Sequence, residues 1–126
     1  MNLSIMKTLT RAEEQIIRIL WELGKASVKQ IRERMPDPKP AVNTVSTIVR
    51  ILENKGFVSH EKQGRGYVYY PLVRKEEYTR FSLRNLVNHY FDGSFKNLVS
   101  FFARQEDLDV HELEEILNEL RQKRTS

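Results

Sequence analysis

The order of three helical segments and one hairpin in the first 72 residues restricts the fold more than any other feature of this chain. Apolar side chains recur at i, i+3, i+4 and i+7 from Ile16 to Leu23. They recur at helical spacing from Val28 to Met35 and again from Val45 to Leu52. Such spacing gives each helix one apolar stripe. We therefore expect three short amphipathic helices that pack around a common core.

Residues at the expected helix boundaries support this interpretation. The sequences T-x-x-E at Thr10 and S-x-x-Q at Ser27 are capping boxes, in which side chains bind the first backbone N–H groups of a helix. Gly56 follows the third helix, where glycine commonly ends a helix. Either Asn43 or Thr44 is expected to cap the start of the third helix.

A β-hairpin is predicted after the third helix. The runs Phe57–Glu61 and Tyr67–Leu72 are rich in Val, Phe and Tyr, and the turn Lys62–Gly66 between them contains two glycines. Three helices followed by a hairpin predict a winged helix-turn-helix. In that fold the third helix fits the major groove of DNA, and the hairpin, or wing, can contact the neighbouring backbone.

The rest of the chain returns to helical spacing. Three further amphipathic segments are separated by Asp92-Gly93-Ser94 and by a helix start at Asp109. The predicted fold is mainly α with a small β-hairpin wing: a winged helix-turn-helix in residues 1–73 and a three-helix dimerisation domain in residues 74–126. Large aromatic side chains are concentrated in residues 74–126. So small a set of helices buries such area either against a partner or on the first domain.

The positive charge of the chain belongs to its first part. The formal net charge is +4. Residues 1–73 contain 12 basic and 7 acidic residues, whereas residues 74–126 contain 9 basic and 10 acidic ones. This asymmetry indicates a polyanionic partner for the first domain, although a solvated lysine-rich surface would give the same charge.

The third helix carries the side chains that we expect to contact DNA. Its outer face has short polar groups and one arginine, where a solvated helix surface is usually rich in Glu, Lys and Gln. Groove contacts are predicted for Asn43, Ser46, Thr47 and Arg50. Phosphate contacts are predicted for Lys39, Thr44, Lys62 and Arg65. For the two residues of the wing tip, an ordinary polar turn is the alternative.

Composition and spacing disfavour several other functions. The chain has no cysteine, which removes disulfides, thiolate nucleophiles and cysteine zinc sites. Its longest uncharged stretch is too short to cross a membrane, so a cytoplasmic protein is expected. His60, His89 and His111 are scattered, without acidic residues at a convincing metal-ligand spacing. We expect no enzyme activity, no metal and no cofactor.

Several short segments, in a consistent order and spacing, carry a resemblance to one family. They are Ala12-Glu13, Ile19-Leu20-Trp21, Thr44-Val45-Ser46-Thr47-Ile48, Leu52 with Lys55-Gly56-Phe57-Val58, Tyr67-Val68-Tyr69-Tyr70, Phe91-Asp92-Gly93-Ser94, Leu98-Val99 and Glu106-Asp107-Leu108. Over residues 7–122 the chain resembles the penicillinase and methicillin-resistance repressors, the BlaI/MecI/CopY family. Ile51 stands where relatives often carry a basic residue.

The resemblance implies a homodimeric repressor that puts one winged helix on each half of a palindromic DNA operator. In the better-known branch of the family, a membrane-bound sensor peptidase triggers cleavage of the repressor at an Asn-Phe bond. That bond corresponds here to Phe101-Phe102, so the family's asparagine is replaced by Phe101. The copper-responsive branch binds metal through C-terminal cysteines, and the absence of cysteine excludes that switch.

The dimer is expected to form through the apolar stripes of the three C-terminal helices. The predicted interface residues are Leu86, Tyr90, Phe91, Leu98, Phe102, Leu113, Ile116, Leu117 and Leu120. Two alternatives remain open at this stage. One is a winged-helix protein-interaction module without specific DNA binding. The other is a repressor that is switched by a ligand or by partner contact instead of proteolysis.

Overall fold

The computed structural model describes residues 6–105 and 109–125 of the chain. Within these ranges the elements are α1 (Arg11–Leu23), α2 (Val28–Glu33), α3 (Val42–Asn54), β1 (Val58–Gln63), β2 (Gly66–Pro71), α4 (Lys75–Tyr90), α5 (Phe95–Arg104) and α6 (Val110–Thr125). The prediction of a mainly helical chain with a hairpin wing is confirmed. The chain divides into two compact units, Met1–Ser82 and Leu83–Ser126.

Both predicted capping boxes are present in the first unit. The Thr10 hydroxyl accepts a hydrogen bond from the Glu13 N–H at 3.2 Å, and the Glu13 carboxylate accepts one from the Thr10 N–H at 2.8 Å. Ser27 and Gln30 make the same two bonds at the start of α2, at 3.2 and 2.8 Å. These bonds satisfy N–H groups that have no partner inside the helix, and so they set where each helix begins.

The apolar stripes of the first three helices meet in one core. Ile16 of α1, Ile31 of α2 and Val49 of α3 are each 0% exposed. Phe57 joins them at 1% exposure, directly after Gly56. The φ angle of Gly56 is 85°, a left-handed value that lets the chain leave α3 and enter the hairpin. The core thus fixes the back of α3 and leaves its other side outward.

The first unit also includes the beginning of α4. The Tyr78 ring lies 5.5 Å from the Phe57 ring and 6.4 Å from the Trp21 ring, between centroids. Its hydroxyl accepts a hydrogen bond from the Leu9 N–H at 3.0 Å. The Trp21 indole N–H donates to the Val73 carbonyl at 2.8 Å. Because these contacts tie α4 to the core, the first unit runs past the predicted boundary at residue 73, to Ser82.

Strands β1 and β2 pair antiparallel, and the turn between them is shorter than predicted. Gln63 pairs with Gly66, so the loop consists of Gly64 and Arg65. Gly64 has a φ of 61°, which suits the first central position of a two-residue hairpin loop of type II′. Lys62, which was expected inside a five-residue turn, instead lies in β1. Its backbone is therefore held by the ladder.

A buried carboxylate joins α1 to the end of α3. The oxygens of Glu13 lie 2.8 and 3.1 Å from the Lys55 ammonium nitrogen, and the Glu13 side chain is only 5% exposed. Burial acts to raise the pKa of Glu13. The hydrogen bonds from Lys55 and from the Thr10 N–H outweigh burial and hold that pKa below its ordinary value of 4.5.

Replacing Glu13 with Gln should lower the free energy of unfolding by about 1–3 kcal/mol, because Lys55 loses its charged partner. A group whose pKa is lowered by folding stabilises the fold above its unfolded pKa. The difference between wild type and Glu13→Gln should therefore be full above pH 4.5. It should disappear as the pH falls further. Urea unfolding at several pH values measures this, with Glu14→Gln as control. A difference that persists in acid would contradict the assignment.

The short link between α4 and α5 matches the predicted break. Asp92 and Gly93 have positive φ angles of 51° and 78°. The Ser94 hydroxyl then caps α5 by accepting a hydrogen bond from the Asn97 N–H at 3.1 Å. Asp109 caps the start of α6, since its carboxylate accepts a hydrogen bond from the Glu112 N–H at 2.8 Å. The break predicted at Asp92-Gly93-Ser94 and the helix start predicted at Asp109 are both confirmed.

The second unit leaves most of its large apolar side chains in contact with solvent. Every residue of α5 is at least partly exposed. Among the predicted interface residues, those that are exposed are Leu86, Tyr90, Phe102, Ile116, Leu117 and Leu120. Those that are half-buried are Phe91, Leu98 and Leu113. An apolar surface of this extent is typical of an interface with another chain.

Candidate nucleic-acid interface

The N-terminus of α3 has no side-chain cap. The helix begins at Val42, and the capping position is Ala41. The expectation that Asn43 or Thr44 caps this helix is wrong, because the helical hydrogen bonds already start with the Val45 N–H, which donates to the Ala41 carbonyl at 3.1 Å. Asn43 and Thr44 lie instead in the first turn and are exposed. Uncapped N–H groups and the helix dipole make such an end favourable for an anion.

One face of α3 is buried, and the opposite face is exposed and carries most of the polar side chains of the helix. Val45, Val49 and Leu52 are each 0% exposed. The predicted groove residues Asn43, Thr47 and Arg50 are exposed, as is Thr44, and Ser46 is half-buried. The fold therefore brings all five polar side chains to the outward side of one helix.

The hydroxyl group of Thr47 forms a hydrogen bond within α3. It donates a hydrogen bond to the Asn43 carbonyl at 2.9 Å. This bond turns the hydroxyl proton back toward the backbone, a common arrangement for threonine inside a helix. Thr47 can therefore offer oxygen lone pairs and a methyl group to an approaching molecule.

The wing is attached to the turn between α1 and α2. Ala26 and Tyr69 exchange two backbone hydrogen bonds, at 3.0 and 2.8 Å, which extend the sheet by one bridge. Glu61 of β1 forms an ion pair with Lys25 in the same turn. The Lys25 ammonium also lies 5.7 Å from the centre of the Tyr70 ring. These contacts hold the hairpin in a fixed position beside the helices.

A second attachment joins the wing to α3 itself. Nδ1 of His60 lies 2.5 Å from a carboxylate oxygen of Glu53, near the end of α3. The His60 ring also packs against Tyr67 and Tyr69, with centroids 5.2 and 5.7 Å apart. The wing and α3 consequently form one continuous surface. The sequence alone does not reveal this pair, since it depends on how the hairpin packs against the end of α3.

The tip of the wing carries two cations into solvent. Lys62, at the end of β1, and Arg65, in the loop, are both exposed. Tyr67, opposite Lys62 in the ladder, is 53% exposed. Both cations lie on the hairpin, which contacts α3 through His60 and Glu53.

Lys39 differs from the other predicted phosphate ligands because its ammonium group already has partners. It donates to the Glu33 carbonyl at 3.0 Å and to the Met35 carbonyl at 2.6 Å. The carboxylate of Asp37 lies 3.9 Å away. A cation suits these carbonyls because they lie at and just beyond the C-terminal end of α2. Lys39 therefore shapes the loop that leads to α3.

His89 and His111 make contacts only within their own helices among the described residues. In residues 6–105 and 109–125, no group of three His, Cys, Asp or Glu side chains could hold a metal ion. His111 pairs with Glu115 of the same helix at 2.8 Å, and His89 contacts the Asn85 carbonyl at 2.7 Å. Both are local pairs on exposed helix surfaces. In the same part of the chain no helix is long and apolar enough to cross a membrane.

These elements define the class of protein: a winged helix-turn-helix in which α3 is the recognition helix and the β1–β2 hairpin is the wing. A solved structure has this fold, the solution structure of the DNA binding domain of the repressor BlaI. The match has a TM-score of 0.51 and 22% sequence identity, and it covers 58% of this chain and 90% of that chain.

Residues 9–122 match the family model for the penicillinase repressor, and the chain belongs to this family. The chain is 31% identical to the methicillin resistance regulatory protein MecI of Staphylococcus aureus strain N315 over 116 residues, 91% of this chain and 94% of that protein. It is 24% identical to the penicillinase repressor of Bacillus licheniformis over 115 residues, 88% of this chain and 90% of that protein. The family predicted from the sequence is confirmed.

Proposed function

We propose that this chain is a sequence-specific transcriptional repressor that binds a palindromic DNA operator as a homodimer. One observation carries the proposal. The outward face of α3 carries polar side chains that include Arg50, and the wing that contacts α3 through His60 and Glu53 carries exposed Lys62 and Arg65. Membership of the penicillinase repressor family supports it. The proposal includes a cytoplasmic location, where bacterial DNA lies, and no catalytic activity, metal or cofactor.

The proposed groove contacts come from the outward face of α3. Arg50 has the length and the forked shape to bind O6 and N7 of a guanine. Asn43, Ser46 and Thr47 are shorter, so they suit base edges or phosphates directly beside the helix. Thr44 lies in the first turn, where the uncapped N–H groups of α3 favour a phosphate.

The proposed backbone contacts come from the wing and the loop before α3. Lys62 and Arg65 are exposed at the tip, so they can approach a phosphate without losing partners that hold the fold. Lys39 is kept in the proposal with a smaller role. Two of its hydrogen bonds already go to carbonyl groups of the loop, and one N–H remains for a phosphate.

The proposed homodimer forms through the second unit. Its exposed apolar side chains lie on three helices, and a two-fold interface would cover the same side chains in both copies. The proposed interface residues are Leu86, Tyr90, Phe91, Leu98, Phe102, Leu113, Ile116, Leu117 and Leu120. Two linked recognition helices bind two half-sites together, which raises both affinity and specificity.

We also propose that cleavage, triggered by a membrane-bound sensor peptidase, releases the repressor from its operator. Only the family relationship supports this part of the proposal. The bond between Phe101 and Phe102 lies inside α5, and the two rings lie 6.0 Å apart. A protease that binds extended peptides would have to unwind this turn first. Immunoblots of induced cells test the idea. Two fragments would support cleavage, whereas intact protein with a freed operator would favour release by a ligand or by partner contact.

Fluorescence anisotropy tests the main proposal directly. The pure chain is titrated into labelled duplex DNA from upstream of its own gene and into a scrambled duplex, at two salt concentrations. Tight binding that survives higher salt only on the native duplex is expected. Equal and salt-sensitive binding to both duplexes would leave only electrostatic attraction. That outcome would favour a winged-helix module for protein interaction.

Lys62→Ala should weaken binding to all DNA sequences alike and make binding less sensitive to salt. Each lost phosphate contact should reduce the slope of log K against log salt by about 0.9. Anisotropy titrations over a series of salt concentrations measure the slope. Lys75→Ala is the matched control, because Lys75 is exposed at the start of α4 and belongs neither to the wing nor to α3. An unchanged slope, or a loss confined to one DNA sequence, would refute the phosphate contact.

A further inference from the structure

The outward face of α3 carries an apolar strip that base hydrogen bonds and phosphate contacts leave unused. Ile51 is 39% exposed, and it follows Arg50 directly. Residues four apart on a helix are neighbours, so Ile51 lies beside Thr47. A single exposed isoleucine is ordinary on a protein surface. This one, however, lies within the face that is proposed to enter the major groove.

The hydrogen bond of Thr47 adds a second methyl group to this strip. Its hydroxyl donates to the Asn43 carbonyl at 2.9 Å, so the oxygen is turned toward the helix backbone. The methyl group occupies the other branch at Cβ of this exposed side chain and takes no part in that bond. Thr47 and Ile51 together therefore present an apolar surface on the same side of α3 as Arg50.

We propose that Thr47 and Ile51 recognise the 5-methyl group of a thymine in the major groove; this inference rests on the proposed function. The thymine methyl is the apolar group that distinguishes this base in the major groove. Neighbouring side chains on a helix are about 5–6 Å apart. Successive base pairs are about 3.4 Å apart. The recognised thymine should therefore lie within one or two base pairs of the base that Arg50 contacts.

The test replaces thymine with deoxyuridine, which removes only the 5-methyl group and preserves base pairing. Footprinting first locates the protected site in the duplex from upstream of the gene. Each thymine of that site is then replaced at the equivalent position of both half-sites, and anisotropy gives the affinity. At one position we expect a loss of about fourfold for each methyl group, or about sixteenfold for both half-sites.

Two variants connect that loss to the proposed residues. Thr47→Ser keeps the hydroxyl and its bond to Asn43 but removes the methyl group. Ile51→Ala removes most of the exposed apolar side chain. Each variant should bring the affinity ratio between thymine and deoxyuridine duplexes closer to one. Val42→Ala is the matched control, because Val42 is 40% exposed on the same helix but lies two and a half turns from Ile51, on the other side.

The outcomes separate this inference from the function on which it rests. Specific operator binding without any thymine-sensitive position would overturn the inference alone. So would a thymine preference that both variants retain, because the methyl groups would then act through DNA shape. Equal binding to native and scrambled duplexes would overturn the proposed function, and the inference with it. Circular dichroism of both variants should match wild type, since both substituted side chains lie on the outward face.

Discussion

Arg50→Ala should lower the affinity for the operator by about 1–3 kcal/mol for each half-site, and it should relax the preference for one base pair. That loss corresponds to roughly a five- to 150-fold weaker interaction at each half-site. Arg50 is exposed and, within the described residues, has no hydrogen-bond or ion-pair partner in its own chain. Its removal therefore leaves no buried group unpaired, and the melting temperature should barely change. The loss would arise almost entirely in the complex.

The Arg50 prediction requires the affinities of two proteins for a whole series of DNA duplexes, and not a single affinity. Wild type and Arg50→Ala are titrated against the operator and against duplexes with each base pair changed in turn. If Arg50 contacts a guanine edge, changing that one base pair should no longer alter the affinity of the variant. Changes at the other base pairs should still lower its affinity. Arg80→Ala, at an exposed position of α4, controls for the loss of one positive charge. Weakening by the same factor on every duplex would identify a phosphate contact instead.

The fold follows from the sequence where local chemistry decides it. The capping boxes at Thr10 and Ser27 bind their own helices, so a four-residue pattern is sufficient to locate both helix starts. The sequence pattern does not predict the start of α3 correctly. Ala41, whose side chain cannot accept a hydrogen bond, occupies the N-terminal capping position of this helix. Here the preceding loop and the buried stripe of α3 determine where the helix begins, and capping propensity at Asn43 does not.

The candidate site also has a part that the sequence predicts and a part that it does not. The outward face of α3 could be predicted because helical period alone separates Val45 and Val49 from Thr47. The hydrogen-bond and ion-pair partners of each polar side chain could not be predicted from helical period. Lys39 turned out to hold loop carbonyl groups, and the wing turned out to be attached through Glu53. Such pairings depend on the strand register and the loop path, which sequence spacing does not specify.

Leu117→Glu should dissociate the proposed homodimer and weaken operator binding by about 10²–10⁴-fold. That range is the gain expected from linking two modules. Leu117 is 48% exposed in the single chain, so a charge there should cost the monomer fold little. In the dimer the same carboxylate would be buried without a partner, which is strongly unfavourable. Sedimentation velocity should show the mass of one chain for the variant and twice that mass for wild type.

The matched control for Leu117→Glu is Asn118→Glu, which adds the same charge one position along α6 at an exposed polar residue. It should leave both the mass and the operator affinity close to wild type. The proposal also requires that each separated monomer still bind a single half-site weakly, because the first unit has its own core. A Leu117→Glu chain that stays dimeric would remove α6 from the interface. A monomeric chain that keeps full operator affinity would show that operator binding does not depend on the dimer.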